Sequence, residues 1–334
     1  TSFLYDFNKM LSDQLKAVFL KNKNPFTDII GLEEPKQALK SALIMNRNII
    51  IVGAPGIGKT TLAKNIAKLL PDIEVNEDCS YNCTPDRPIC PSCKQKPKKT
   101  MKLKGEKRFI RIQGSPDLTV EDLLGDIDPI KALKFGPLSV EAFTPGKIFK
   151  ANNGVLFFDE LNRCPEKLQN SLLQALEERK STISSYDVDF DANFIFIGTM
   201  NPEDTSTEKL SDVLLDRFDI IYMHYPETID VEKKIVVVKG RKLVNVSEEI
   251  INLIVYFVRL LRDDEKLEKK PSVRASIGLY ERSQSNALLN GRKNVQFEDV
   301  KGVLVSVLSH RIRLKPSVRY LETAEDYIRE KFQK

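Results

Sequence analysis

Apolar positions along the chain follow two rhythms. Over residues 1–23, Phe3, Phe7, Met10, Leu11, Leu15 and Phe19 recur about one helical turn apart, which predicts an N-terminal helix within 1–24, closed by Asn22-Lys-Asn-Pro25. From Pro25 to about Pro226, short continuous apolar runs alternate with amphipathic stretches. Residues 48–52 (NIIIV), 154–158 (GVLFF) and 193–198 (NFIFIG) read as strands buried on both faces. Residues 62–70 carry Leu62, Ile66, Leu69 and Leu70 on one helical face, and Pro165 stands at the favoured first position of a helix bearing Leu168, Leu172 and Leu176. This alternation predicts an α/β fold, a largely parallel sheet wrapped in helices. Beyond Pro226 the strand signals stop. Ser247 caps a helix carrying Ile250, Ile254, Val258 and Leu261, and helical patterns follow around 273–290, 298–313 and 320–332, so a small all-helical C-terminal domain is expected. The charged patch 263–270 (DDEKLEKK) reads as a solvated linker between helices.

Composition fits a globular chain. Its 334 residues are 41% hydrophobic and 30% charged, enough for two or three domains with proper cores. The longest apolar candidate, Ile251 to Leu261, is broken by Arg259, well short of the roughly 18 residues a membrane span requires. No basic leader precedes a long apolar stretch, so a cytoplasmic location without membrane insertion is expected. The net charge of +5 is local: residues 94–108 hold eight Lys or Arg and one Glu, a +7 that leaves −2 for the remainder. A surface coated for nucleic acid is therefore not implied.

Candidate chemistry begins at Gly53-Ala-Pro-Gly56-Ile-Gly58-Lys59-Thr60, a full match to the phosphate-binding loop. A triphosphate needs several inward-pointing backbone amides, which glycines permit, together with a positive helix end, a cation and a hydroxyl for Mg²⁺. An apolar strand precedes the loop and an amphipathic helix follows it. About a hundred residues on, Val155-Leu-Phe-Phe158-Asp159-Glu160 delivers two acids from a buried strand. Asp159 suits a Mg²⁺ ligand, and Glu160 can polarise the attacking water. Asn201, after the strand 193–198, is placed to orient that water, or is simply a turn residue before Pro202. Arg217, in Leu214-Leu-Asp-Arg217-Phe-Asp219, is a candidate to meet a neighbouring subunit, or an ordinary surface arginine.

On these motifs the stretch from Pro25 to Leu314 resembles the AAA+ ATPase subunit of magnesium chelatase, the I subunit, and its relatives in the MoxR group. The resemblance extends to Pro25-Phe26-Thr-Asp-Ile-Ile30-Gly31, similar to the segment that cups adenine. Gly125-Asp-Ile-Asp128, Lys131-Ala-Leu133, Phe143-Thr-Pro-Gly146 and Ala151-Asn-Asn-Gly154 are similar to the family's helix-2 insertion running into the acidic strand. Asp159-Glu-Leu-Asn162 has the chelatase-like form. Gly198-Thr-Met-Asn-Pro202 and Leu215-Asp-Arg-Phe218 resemble the sensor-1 and arginine-finger segments, and Ser272-Val-Arg274-Ala-Ser resembles the sensor-2 helix. The resemblance implies a ring, hexameric, with ATP between subunits. It implies nucleotide contacts from Ile30, Gly31, Gly53, Pro55, Gly56, Ile57, Gly58, Lys59, Thr60 and Thr61, and Mg²⁺ on Thr60 and Asp159. Glu160, Asn201, Arg217 and Arg274 take the catalytic roles, Arg274 acting within its own subunit or on a neighbour. The expected organisation is a helix at 1–24, an AAA+ P-loop core at 25–228 and a helical lid at 229–334 carrying sensor 2. The core contains a cysteine-rich insertion (76–108), the helix-2 insertion (125–148) and a pre-sensor-1 hairpin (181–192).

Five cysteines occur, four of them at Cys79, Cys83, Cys90 and Cys93, with Cys164 apart. The cluster reads as metal binding or a redox-sensitive loop, since a secreted scaffold would spread its cysteines. Four thiols within 15 residues suffice for tetrahedral zinc, with free thiols or a disulfide as alternatives. The basic run that follows reads either as a contact for nucleic acid or anionic protein, or as a solvated loop returning to a strand at 109–112.

Three functions fit: the motor of a metal chelatase, a MoxR-type chaperone acting on a protein with a von Willebrand A domain, and a DNA translocase similar to the MCM helicases. A DNA motor would want bases in the hairpin 181–192, which instead offers Asp187, Asp189 and Asp191. DNA is the weaker of the three.

Overall fold

Five short strands build the central sheet of the computed structural model: β1 (Ile49–Val52), β2 (Phe109–Gln113), β3 (Gly154–Asp159), β4 (Phe194–Met200) and β5 (Asp219–Tyr222). The structure describes all residues except 1, 97, 137–138, 178–179, 184–185, 190–191, 203–209, 211 and 334, and for 2–10, 140, 180–183, 186–189 and 213 the backbone alone. Every pairing in the sheet is parallel, in the order β5-β1-β4-β3-β2. All four residues of β1 and all six of β3 are buried, which is why their sequences are continuous apolar runs rather than alternating ones.

The chain divides into two compact units. One comprises Thr1–Ile29, Glu33–Gly53 and Gly58–Met223, and the other Ile30–Leu32, Ala54–Ile57 and His224–Lys334. In the first, the helices Glu33–Ile44, Lys59–Leu69 and Glu166–Glu177 bury Leu39 and Leu43, Leu62 and Ile66, and Leu168 and Leu172. Each such side chain contributes about 2 kcal/mol on burial. Pro165 sits one residue ahead of its helix, its carbonyl accepting from the amides of Leu168 and Gln169. The N-terminal helix runs Ser2–Lys21.

Among the described residues, three antiparallel ribbons decorate this unit. Ile73–Asn76 pairs with Thr100–Leu103, carrying the cysteine loop at its tip. The basic run is thus partly a strand, and its last residue, Arg108, is buried rather than solvated. Gly125–Ile127 pairs with Phe143–Pro145 around the helix Pro129–Phe135, whose first amides are capped by Asp128. In the hairpin 181–192 the backbones of Lys180–Ile183 and Tyr186–Asp189 pair. Asp191 and the side chains of Asp187 and Asp189 lie outside the described residues.

The second unit is built on the helices Ile229–Lys239, Glu248–Asp263, Val273–Leu289, Phe297–Leu308 and Ala324–Gln333. Ser247 caps Glu248–Asp263 through the Ile250 amide, as the sequence predicts. The solvated linker expected at 263–270 is corrected. Leu267 is buried and anchors a strand, Leu267–Lys269, against Arg313–Leu314. Asp264 binds Tyr327 and Lys331 of the last helix. One apolar residue among seven charged ones suffices to dock the segment. Among the described residues, no helix is long and apolar enough to cross a membrane.

Candidate active site

Register sets the site. Val52 pairs with Met200, Gly198 with Phe158, and Gln113 with Asp159, so these strands finish at one edge of the sheet. Ligands of open parallel sheets bind outside the carboxyl ends of the strands. The loop leaving β1 turns through Gly56 (φ 81°) and Gly58 (φ 100°), a backbone region that side chains avoid, and opens the helix Lys59–Leu69. Lys59 Nζ donates to the Gly53 carbonyl, folding the side chain back across the loop. Thr60 and Thr61 occupy the first helical turn, where unpaired amides and the helix dipole favour an anion.

The acidic pair at the end of β3 is held by neighbours on both sides. Asp159 is buried; its Oδ1 accepts from Thr199 Oγ1 at 2.6 Å and its Oδ2 from Arg111 Nη2 at 2.6 Å. The same Thr199 hydroxyl accepts from the Glu160 amide at 3.0 Å. Glu160 takes a left-handed conformation, φ 56°, rare and costly for a residue with a side chain. Its carboxylate accepts from Gln113 Nε2 at 2.8 Å and pairs with Arg163 at 3.2 Å. Gly114 makes room for this turn: a Cβ there would lie 2.1 Å from the Glu160 carbonyl oxygen.

Asn201 follows β4, with its carbonyl 3.5 Å from Asn162 Nδ2. Arg217 is elsewhere, its Nε donating to Glu177 at the end of Glu166–Glu177. In the second unit, Arg274 stands exposed in the first turn of Val273–Leu289. The loop tip Ala54–Ile57, including Pro55 and Ile57, belongs to that unit. A Cβ on Gly56 would meet Ser272 Oγ at 2.7 Å and Arg274 Cδ at 3.2 Å. Ile30 and Gly31 belong there too, a Cβ on Gly31 lying 3.1 Å from Val231 Cγ1.

Arg111, Gln113 and Thr199 are not singled out by the sequence, yet together with Arg163 they hold Asp159 and Glu160. The available signal was alternation: in Phe109-Ile-Arg-Ile-Gln113 the polar residues fall two apart at the carboxyl end of a strand, hence on one face.

The cysteine loop is a second site. The four sulfurs of Cys79, Cys83, Cys90 and Cys93 lie within 4.8 Å of one another, and Cys79 and Cys90 are 3.8 Å apart. A tetrahedron with zinc–sulfur bonds of about 2.3 Å has an edge of about 3.8 Å. Backbone amides aim at the sulfurs: Ile89 and Cys90 donate to Cys83, and Cys93 donates to Cys90. The Cys83 thiol hydrogen-bonded to Cys79 favours the Cys79 thiolate and pulls it down to about 4, while Cys83 itself is pushed up. None of the five cysteines forms a disulfide.

Comparison with known proteins matches three family models along the chain: magnesium chelatase subunit ChlI over residues 25–91, the AAA ATPase family associated with various cellular activities over 91–220, and an AAA lid domain over 261–330. A magnesium-chelatase subunit ChlI homolog of Methanocaldococcus jannaschii is 31% identical over 326 residues, covering 87% of this chain and 86% of the relative. Magnesium-chelatase subunit ChlI of Olisthodiscus luteus is 30% identical, covering 87% and 91%. The 38 kDa magnesium-chelatase subunit of Chlorobaculum parvum is 28% identical, covering 90% and 93%. Identity sustained over nearly the whole length of each relative, on a sheet that ends in a phosphate loop and an acidic pair, places the chain in the magnesium chelatase ChlI family of AAA+ ATPases, as an ATP-hydrolysing motor.

Proposed function

We propose that the chain is the ATP-driven motor of a chelatase-type assembly, working as a homo-oligomeric ring of six with ATP at the subunit boundaries. The observation that carries this reading is the Asp159–Glu160 pair presented at the same end of the parallel sheet as the strand that leads into the phosphate loop, with one strand between them. Lys59 and the loop amides bind the β- and γ-phosphates, and Ile30 and Gly31 flank the base. Asp159 and Thr60 offer hard oxygens of the kind Mg²⁺ takes. Asp159 Oδ2 carries the Arg111 guanidinium at 2.6 Å, a cation that Mg²⁺ would have to share or displace. When bound, Mg²⁺ would supply charge neutralisation at the phosphates. Glu160 orients and polarises the attacking water, and Asn201 holds that water from the side of β4. Arg217 reaches the γ-phosphate of a neighbouring subunit, and Arg274 binds phosphate from the lid.

Lys59→Ala should abolish nucleotide binding. Glu160→Gln should bind ATP but hydrolyse it at least about a hundredfold more slowly. Near-normal phosphate release by Glu160→Gln would remove Glu160 from the role given to it.

The relatives' names favour the chelatase motor over the chaperone and DNA readings. The partner is then a protein chain, of the kind carrying a von Willebrand A domain, and pull-down from the native cytoplasm would identify it. The cysteine loop holds one structural zinc. Elemental analysis of protein purified without chelator should give about one zinc per chain, and a disulfide within the loop would exclude it.

A further inference from the structure

The three residues between the first two thiols do more than space them. Ser80, Tyr81 and Asn82 separate Cys79 from Cys83, and two of them grip the segment that enters β3. Asn152 Nδ2 donates to the Tyr81 carbonyl at 2.9 Å, Asn153 Nδ2 to the Asn82 carbonyl at 3.1 Å, and Asn82 Nδ2 to the Lys150 carbonyl at 2.8 Å. The Tyr81 ring meets Phe149 edge-on, 5.4 Å between centroids.

The gripped segment is itself strained. Asn153 has φ 61° and immediately precedes Gly154, the first residue of β3. Its amide donates to the Asn193 carbonyl at 2.6 Å, and its carbonyl accepts from Arg108 Nε at 2.5 Å. Asn152 Oδ1 accepts from the Asn193 amide, one residue before β4. Five residues beyond Gly154 the strand ends in Asp159.

On the other side, the gripping residues are bracketed by the first two thiols, and the Asn82 amide donates to the Cys79 carbonyl at 3.2 Å. Asp78 (φ 55°) and Asn82 (φ 47°) both sit in the left-handed region. The buried centre of the loop itself consists of Cys83, Cys90 and Cys93, with Tyr81 and Ile89 half-buried between these thiols and the main core of the unit. A core this small does not fix a loop of such length without a cross-link or a metal.

We propose that zinc on Cys79, Cys83, Cys90 and Cys93 acts as a brace for the acidic strand. The loaded loop holds Tyr81 and Asn82 so that they clamp Asn152 and Asn153, and this clamp fixes where β3 begins. The inference rests on the zinc reading given above.

Hydrogen exchange on the full chain under reducing conditions tests it, comparing zinc-loaded protein with protein stripped by a chelator. Removal of zinc should speed exchange at residues 150–156 at least about tenfold, with the helix Val273–Leu289 unchanged. Asn152→Ala, which leaves all four thiols in place, should reproduce the faster exchange at 150–156 while retaining its zinc. If stripping loosens residues 77–99 but leaves 150–156 as in the loaded protein, the brace is wrong and the metal site stands. Protein that neither contains zinc nor takes it up from added zinc salt removes the proposal at its base.

Discussion

Gln113 Nε2 donates to Glu160 Oε2 across 2.8 Å, from the strand next to the one that Glu160 follows. With Arg163 on the same oxygen, Glu160 Oε2 is engaged by two protein donors. Gln113→Ala should therefore raise the basal ATP turnover of the isolated protein by a few-fold, a change of about 1 kcal/mol in the barrier. Steady-state phosphate release measures it. An unchanged basal rate would mean that the amide does not restrain Glu160.

Gly114 tests the same turn from the backbone side. A Cβ at this position would stand 2.1 Å from the Glu160 carbonyl oxygen, an atom of the main chain that cannot swing away. Gly114→Ala should displace Glu160 and lower turnover at least about tenfold. ATP affinity should be kept, because the phosphate loop belongs to another strand. Equilibrium binding of a fluorescent nucleotide, set beside turnover, separates the two effects. Loss of both in parallel would point to general unfolding instead.

Arg217 engages Glu177 of its own subunit, so to serve a neighbour it must exchange this partner for a phosphate. An exposed pair of this kind is worth about 0.2–1 kcal/mol. Glu177→Gln should accordingly shift the rise of specific activity with protein concentration to concentrations a few-fold lower. Arg217→Ala and Lys59→Ala should each be inactive alone, since an arginine finger contributes about a thousandfold or more. Mixing the two should restore activity, because a mixed boundary can join an intact loop to an intact finger. Activity of Arg217→Ala equal to that of the unaltered chain would leave Arg217 as a surface charge.

Asp264 gives the lid a dependence on acid. Burial opposes its charge, but donation from Lys331, Tyr327 and the Lys266 amide outweighs burial and holds the carboxyl at about 2. A carboxylate depressed in the folded state stabilises the fold above its ordinary pKa, and that contribution disappears as pH falls through the folded value. About 2 kcal/mol should therefore be lost between pH of about 4 and about 2. Exchange in the helix Ala324–Gln333 should rise over that interval, and Asp264→Asn should flatten the dependence. An identical acid profile in the variant would assign the transition to other carboxylates.

How much of this was legible in the sequence differs from residue to residue, for physical reasons. β1 and β3 were plain because strands buried on both faces must be continuously apolar. The phosphate loop was plain because its chemistry demands glycines and a lysine in consecutive order. Thr199 and Gln113 were not, since a single polar residue near a strand end looks the same on a bare surface as against a carboxylate. The ribbon at Leu267 was hidden by its charged neighbours. The left-handed turns at Glu160 and Asn153 are imposed by partners about 40 to 70 positions away, Thr199, Asn193, Arg108 and Asn82, and no local pattern encodes them.

The strand order has a consequence for synthesis of the chain. β1, which bears the phosphate loop, pairs with β4 and with β5, and its partner to Ile49 in β5 is Asp219, 170 positions later (219 − 49). On the ribosome, the loop emerges early while both strands that flank its own are still untranslated. Such long-range closure is slow and leaves apolar edges open. The nascent chain should thus be unable to retain ATP until Tyr222 has cleared the exit tunnel. Nucleotide capture by arrested chains of increasing length should switch on abruptly at that point, and chaperone dependence should be greatest just before it.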